Sequence, residues 1–457
     1  MSNNSKASER ILSLLDENSF VEIGGKVTAR ATDFNLEPKA TPADGVVTGY
    51  GLVDGKLVYV YSQDAAVMGG SVGEMHAKKI CALYDFALKV GAPVIGLIDC
   101  AGLRLQEGTD ALNAFGQIYG KQAKASGVIP QITAIFGNCG GGLALFPTMT
   151  DFTFMAEDAK LFVNAPNALD GNYEAKNDTA SAKFQSEECG LVDFVGKEAD
   201  LYDHMRKLVT MLPSNNEEND AFDECTDDLN RGVNASTDAD ATLAQIADNN
   251  VFAEIKANYA KDMICGFMKL NGVTVGAVAN RAEVMTPNGC LKAADFVNFC
   301  DAFDLPVVTL TNVKGFEATV EAEKTMGKAA AKLAFAFANA TVAKVNVITG
   351  VAFGSAYNVM NSKALGCDMT YAWDSASVGM MDAKLAAKVM YAGEGTDVQN
   401  QKAAEYAELQ GSVDAAARRG YVDTIIAPVD TRKYVIGALE MLYTKREELP
   451  AKKHGTV

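Results

Sequence analysis

The chain is written twice. Val90–Gly102 reads VGAPVIGLIDCAG and Phe303–Gly315 reads FDLPVVTLTNVKG. Each is an apolar run that follows a proline and ends in a glycine turn. Ser126–Phe146 (SGVIPQITAIFGNCGGGLALF) is matched by Asn339–Val359 (NATVAKVNVITGVAFGSAYNV), again 213 residues further on. Upstream, Asp54–Tyr61 (DGKLVYVY) resembles Asn271–Val278 (NGVTVGAV) at a separation of 217. Shared spacing and matched glycines (Gly102/Gly315, Gly137/Gly350, Gly141/Gly354) set this apart from chance likeness between apolar strands. Each half therefore repeats the order hairpin, helix, strand, turn, helix, strand, turn, helix.

Within the first half, Leu57–Tyr61 alternates as a strand does, and Gly73–Val90 carries apolar residues at helical spacing. Val94–Ile98 is a short continuous apolar run of the kind buried in parallel sheets. A helix over Asp110–Ala125, a strand over Ile132–Phe136, a turn over Gly137–Gly142 and a helix starting at Leu143 follow. Strands alternating with helices predict an α/β layered fold in two tandem domains. Pro213–Ala241 is rich in Asp, Asn and Glu and predicts a linker, giving domains 1–241 and 242–457. The tail from Lys445 is polar and predicts a surface arm.

Composition removes several classes. Lys+Arg is 41 against Asp+Glu 58, a formal charge of −17, the wrong sign for a nucleic-acid binder. The nine cysteines include no C-x-x-C pair, which predicts reduced, buried thiols. Three histidines, His76, His204 and His454, leave little for a metal site, and none is expected. The N-terminus lacks the apolar run of a signal peptide. Location is expected to be cytoplasmic, with attachment to a membrane through partner subunits as the alternative.

Candidate chemistry lies in the turns. GNCGGG (Gly137–Gly142) follows a strand and opens a helix, so its N–H groups can face a developing oxyanion. GVAFGSA (Gly350–Ala356) takes the same place in the second half. A turn that needs glycine only for packing fits the same letters. No Lys-Ser/Thr follows either turn, which excludes a Walker-type loop. GGSVG (Gly69–Gly73) matches G-x-S-x-G, but no strand runs directly into Ser71, as a nucleophile elbow requires. His76 is expected to be structural, Lys78 and Lys79 to form a solvated helix face, and Trp373 to lie in the core. No side-chain dyad emerges, which points to an enzyme that works with backbone amides.

Several segments resemble the carboxyltransferase subunits of biotin-dependent acyl-CoA carboxylases and decarboxylases, the propionyl-CoA carboxylase β and methylmalonyl-CoA decarboxylase α group. They include DGVVTGYG (Asp44–Gly51), YVYSQDAAVMGGSVGEMHAKKI (Tyr59–Ile80), RLQEG (Arg104–Gly108), ASGVIPQITAIFGNCGGG (Ala125–Gly142), FGSAYNVMNSKALGCD (Phe353–Asp368) and RRGYVDTIIAP (Arg418–Pro428). The resemblance implies two crotonase-like domains. It implies that Gly141 and Gly142 form an oxyanion hole for the biotin ureido oxygen, with Gly102 and Gly354 also on the cofactor side. It implies a second hole, at Ser355 and Ala356, for the acyl-CoA thioester carbonyl, with Asn358 beside the acyl pocket. It further implies biotin on a separate carrier protein, a biotin carboxylase or membrane decarboxylase partner, and a homodimer or homohexamer. The chain departs from the family at CAGLR (Cys100–Arg104) for SGGAR, GFEAT (Gly315–Thr319) for GFLPG, and ITGVAFGSAYN (Ile348–Asn358) for ITRKAYGGAYD. These departures leave the acyl group and the direction of transfer open. A sodium-pumping decarboxylase α subunit, a biotin-independent crotonase-like enzyme and a non-catalytic assembly subunit are the alternatives.

Overall fold

The first half begins with a short edge strand, β1 (Val21–Ile23), beside a hairpin of β2 (Val46–Val53) and β3 (Lys56–Gln63). Gly55 closes the hairpin at φ +80°, a conformation that costs glycine little. Strands β4 (Val94–Cys100), β5 (Gln131–Gly140), β6 (Phe152–Ala156), β7 (Lys160–Phe162) and β8 (Phe194–Gly196) follow. The sheet order is β1-β2-β3-β4-β5-β6-β8, with β7 pairing the end of β5. From β3 onward the pairs are parallel. The buried faces of Val94–Ile98 and Gln131–Phe136 account for their unbroken apolar character.

The second half repeats this plan. β9 (Phe252–Ile255), β10 (Met263–Leu270), β11 (Val273–Asn280), β12 (Val284–Met285), β13 (Val307–Val313), β14 (Gly315–Phe316), β15 (Lys344–Phe353), β16 (Met369–Trp373), β17 (Ser377–Gly379) and β18 (Thr424–Ile426) follow in chain order. The order β18-β16-β15-β13-β11-β10-β9, with β17 on the end of β15, corresponds strand for strand to the first sheet. The correspondence extends to irregularities. A register shift between Ile98 and Cys100 recurs between Thr311 and Val313. The small parallel pair β12–β14 is matched in the first half by a single bridge, Val72 to Leu103.

The computed structural model describes residues 5–30, 41–218 and 223–457. Its compact units are Met1–Asn219 and Asp220–Val457, so the division comes earlier than the 241/242 boundary expected from composition. The described part of the expected linker, outside residues 219–222, is packed. Asn215 donates to Gly91 O at 2.8 Å. Asp227 pairs with Arg231 and Arg432, and Val233 is buried in the second core. Asp227, one of the acidic residues that suggested a solvated linker, is a partner of buried Arg432. Trp373 is in the core, its Nε1 donating to Thr431 Oγ1 at 3.0 Å. Among the described residues, no helix is long and apolar enough to cross a membrane.

The expected turn at Gly137–Gly142 starts four residues later, at Gly141. β5 continues to Gly140, and the chain turns at Gly141–Ala144 before a one-turn helix, Leu145–Thr148. The extension arises because β7 pairs with Asn138–Gly140 and keeps the strand straight past its apolar stretch.

Candidate active site

The two turns have nearly the same backbone. Gly141 has φ +66° and Gly354 φ +59°, a left-handed conformation that any Cβ would strain. Gly140, just before the first turn, is extended; a Cβ there would sit 2.5 Å from the Phe162 ring. Around Gly141 the space is open, with no atom within 4 Å of where a Cβ would be. Gly142 is exposed. In the second half, Ser355 and Asn358 are exposed while Ala356 is buried, all on the helix Gly354–Val359. Each turn thus gathers its own expected residues. The elements that follow are a four-residue and a six-residue helix, too short for a full macrodipole. Any stabilisation of negative charge falls to individual N–H groups.

Gly137 and Gly350 are glycines for a shared reason. A Cβ on Gly137 would lie 2.1 Å from Asp99 Oδ1, and one on Gly350 would lie 2.4 Å from Asn312 Oδ1. Asn312 Oδ1 accepts from Val351 N at 3.0 Å. With Asn312 held in this way, a side chain at Gly350 has no room. Asp99 instead pairs with buried Arg10 at 3.0 Å.

Gly102 is buried, with φ +103°, and would place a Cβ 3.8 Å from Gly140 O. Its N–H donates to Cys100 Sγ at 3.3 Å and its carbonyl accepts from Val72 N at 2.9 Å. Both its polar groups are engaged. Ser71 is buried and takes a bond from Arg104 Nε at 3.4 Å. This is an anchored position rather than an exposed nucleophile.

Sequence reasoning missed the buried ion cluster behind this loop. Arg104, 1% exposed, pairs with Asp44 Oδ1 at 2.6 Å and Glu107 Oε1 at 2.8 Å, and donates to Ser71 O at 2.8 Å. Burial pushes the Asp44 carboxyl up, against the pull of Arg104. His76 is fully buried, and burial, reinforced by Arg104, holds its imidazole far below the usual range. The neutral ring donates from Nδ1 to Asp44 O at 2.9 Å and faces Gln63 Nε2 at 3.2 Å. The only signal in the letters was Glu107 three residues after Arg104. Asp44, 60 residues away, is brought in by the fold.

Lys79 corrects another expectation. Lys78 is exposed and pairs with Glu74, but Lys79 is buried, its Nζ donating to Ala43 O at 2.8 Å and also to Val46 O. Burial lowers its pKa to about 8. Lys292, 213 residues on, does the same in the second half, donating to Lys256 O, Tyr259 O and Met263 O. The duplicated lysines cap irregular backbone ahead of β2 and β10.

Comparison with known proteins accords with this arrangement. A family model described as carboxyl transferase domain matches residues 2–457. A methylmalonyl-CoA decarboxylase subunit alpha from Propionigenium modestum is 38% identical, over 99% of this chain and 92% of that one. A propionyl-CoA carboxylase beta chain from Roseobacter denitrificans is 40% identical, over 99% and 93%. Among solved structures, the transcarboxylase 12S hexamer with hydrolysed methylmalonyl-coenzyme A aligns with a TM-score of 0.95 at 36% identity, over 98% of this chain and 92% of that one.

Proposed function

The chain belongs to the carboxyl transferase family, and from that premise we propose that it moves a carboxyl group between biotin and a short-chain acyl-CoA through two backbone oxyanion holes. It is a carboxyltransferase of the propionyl-CoA carboxylase and methylmalonyl-CoA decarboxylase type. The observation that carries the two-hole reading is the duplicated turn, with left-handed Gly141 and Gly354 closing equivalent strands.

The residues fit a biotin ureido group at the first turn. The open space at Gly141 and the exposed Gly142 leave room for an oxygen acceptor beside backbone amides. Biotin, when bound, supplies the transferable carboxyl group and the base that no protein side chain provides. Gly141 and Gly142 orient that group and stabilise negative charge on its oxygen. Ser355 and Ala356 do the same for the thioester oxygen, and Asn358 faces the acyl end. Because both holes are built from backbone, they need no proton of their own. Gly102 lies on the cofactor side with the first turn, and Gly354 sets the backbone of the second.

Biotin is carried by a separate protein, and the carboxyl donor or acceptor side is completed by a biotin carboxylase or by membrane decarboxylase subunits. A dimer or hexamer places the two kinds of turn together, the first from one protomer and the second from another. Relatives of both carboxylase and decarboxylase name match at similar identity, so direction is left to the partner. Asn358 is similar in size to Asp but uncharged, and it shifts acyl preference away from the propionyl enzyme.

The purified chain is tested with free biotin against malonyl-, methylmalonyl- and glutaconyl-CoA, and with carboxybiotin as donor against acetyl-, propionyl- and butyryl-CoA. Carboxyl exchange that requires biotin supports the reading; turnover unaffected by biotin overturns it. Asn358→Asp is expected to reorder the panel without lowering thermal stability, because the side chain is exposed. An unchanged ranking sinks the specificity role. Covalent biotin detected on this chain by mass spectrometry contradicts a separate carrier.

A further inference from the structure

We propose that Tyr119 is a positioning residue for the first turn, holding the Gly142–Leu143 peptide, and through it the backbone of Gly142, in the orientation that carboxyl transfer needs. This role rests on the function proposed above. The Tyr119 hydroxyl, on the helix Thr109–Ala125, donates to the Gly142 carbonyl at 2.6 Å. The same carbonyl accepts from Leu145 N. Two consecutive glycines have the widest backbone freedom of any pair and no side chains to restrict it, so geometry here must be imposed from outside.

Tyr119 is built to impose it. Its ring packs edge-on against Phe146, with centroids 5.7 Å apart and planes at 88°, and tilted against Phe115 at 6.0 Å. The hydroxyl is therefore presented by a ring that is itself held. The turn lies directly against this cluster, since a Cβ on Gly142 would be 3.0 Å from the hydroxyl and 3.1 Å from Phe115. Burial raises the phenol above its ordinary value, so it stays a donor through neutral and mildly alkaline pH.

The second half has no tyrosine at the matching place. The residue 213 positions after Tyr119 is Lys332, which carries no hydroxyl. There Ala356 and Tyr357 are buried and fix the turn by packing. A side chain reaching in from a neighbouring helix does for a glycine pair what buried side chains do for the other turn.

Tyr119→Phe keeps the ring and removes only the donor. With free biotin and whichever of malonyl-, methylmalonyl- and glutaconyl-CoA the wild type turns over fastest, kcat is expected to fall about tenfold while KM for the acyl-CoA stays within about twofold, the pattern of lost orientation rather than lost binding. Amide exchange in Gly141–Leu145 should quicken with the thermal midpoint unchanged. A fluorinated tyrosine at 119, which ionises at lower pH, should add a new alkaline loss of kcat, because a phenolate cannot donate. Wild-type kcat, wild-type exchange or an unaltered pH profile in these variants overturns the role. A wild type that never transfers carboxyl to biotin overturns the function and the role with it; a transferring wild type matched by Tyr119→Phe overturns the role alone.

Discussion

The turn after β5 and the turn after β15 share a backbone and little else. Both strands carry the same register shift with their neighbour, both turns swing on a left-handed glycine, and both are flanked by a short extra strand. The first half also holds a buried charged cluster of Arg104, Asp44 and Glu107. At the position of Arg104, 213 residues on, the second half has Glu317, half-buried and outside any such cluster. Gly102 is left-handed, whereas its counterpart Gly315 lies in β14. Asp99 pairs with Arg10, while Asn312 satisfies a backbone amide. The duplication kept what places N–H groups at the strand ends and let the supporting side chains diverge.

The sharpest way to break this comparison is to remove the first half's own support. Arg104→Met leaves Asp44 and Glu107 buried without their partner, which should cost about 3–5 kcal/mol of stability. Glu317→Met, at the matching place, should stay within about 0.5 kcal/mol. Chemical denaturation of both variants measures the contrast; equal losses mean that the cluster does not distinguish the halves.

Glycine substitution at the turns separates site from scaffold. Gly141→Val puts a side chain into open space where the reacting oxygen is proposed to sit. It should lower the transfer rate by about 10²–10³, the scale for losing an oxyanion donor. Both substitutions put a Cβ on a left-handed backbone and should lower stability; Gly354→Val also meets Met380 O, 3.1 Å from its Cβ position, so it should lose more. Steady-state kinetics beside thermal unfolding resolves the two. A Gly141→Val enzyme that is folded and fully active removes the first turn from the mechanism.

The smallest effect concerns a feature the halves share. The pKa of Lys79 lies near 8 in the folded chain, below its ordinary value, so the unfolded chain holds that proton more tightly. Charged Lys79 therefore opposes folding below about pH 8, and the penalty fades as pH rises from about 8 towards the unfolded lysine value. The stability difference between wild type and Lys79→Met should shift in favour of wild type across that window. A difference that is flat in pH means the lysine is not held in this environment.

The comparison also shows where sequence reasoning reached and where it stopped. The helix Glu74–Val90 and the strand from Val94 were legible because burial on a fixed period writes itself into neighbouring residues. The last residues of β5 were not, because they are held straight by pairing with β7, twenty-odd residues away. Lys79 read as solvated because lysines usually are, and only the carbonyls of Ala43 and Val46 explain its burial. Tyr119 gave no signal, since a single hydroxyl bonded to a distant carbonyl leaves no periodicity.

By itself the sequence determined the duplicated α/β plan and the glycine-rich segments in which both turns fall, though not the residues at which the strands end. These depend on local conformational preference and on spacing along one chain, which the letters record directly. Only the tertiary structure decided which polar groups serve those turns: Arg104 with Asp44, Asn312 against Val351, Tyr119 on Gly142. Such partners are separated by tens of residues. Their pairing energy exists only once the sheets bring them together and remove water from between them.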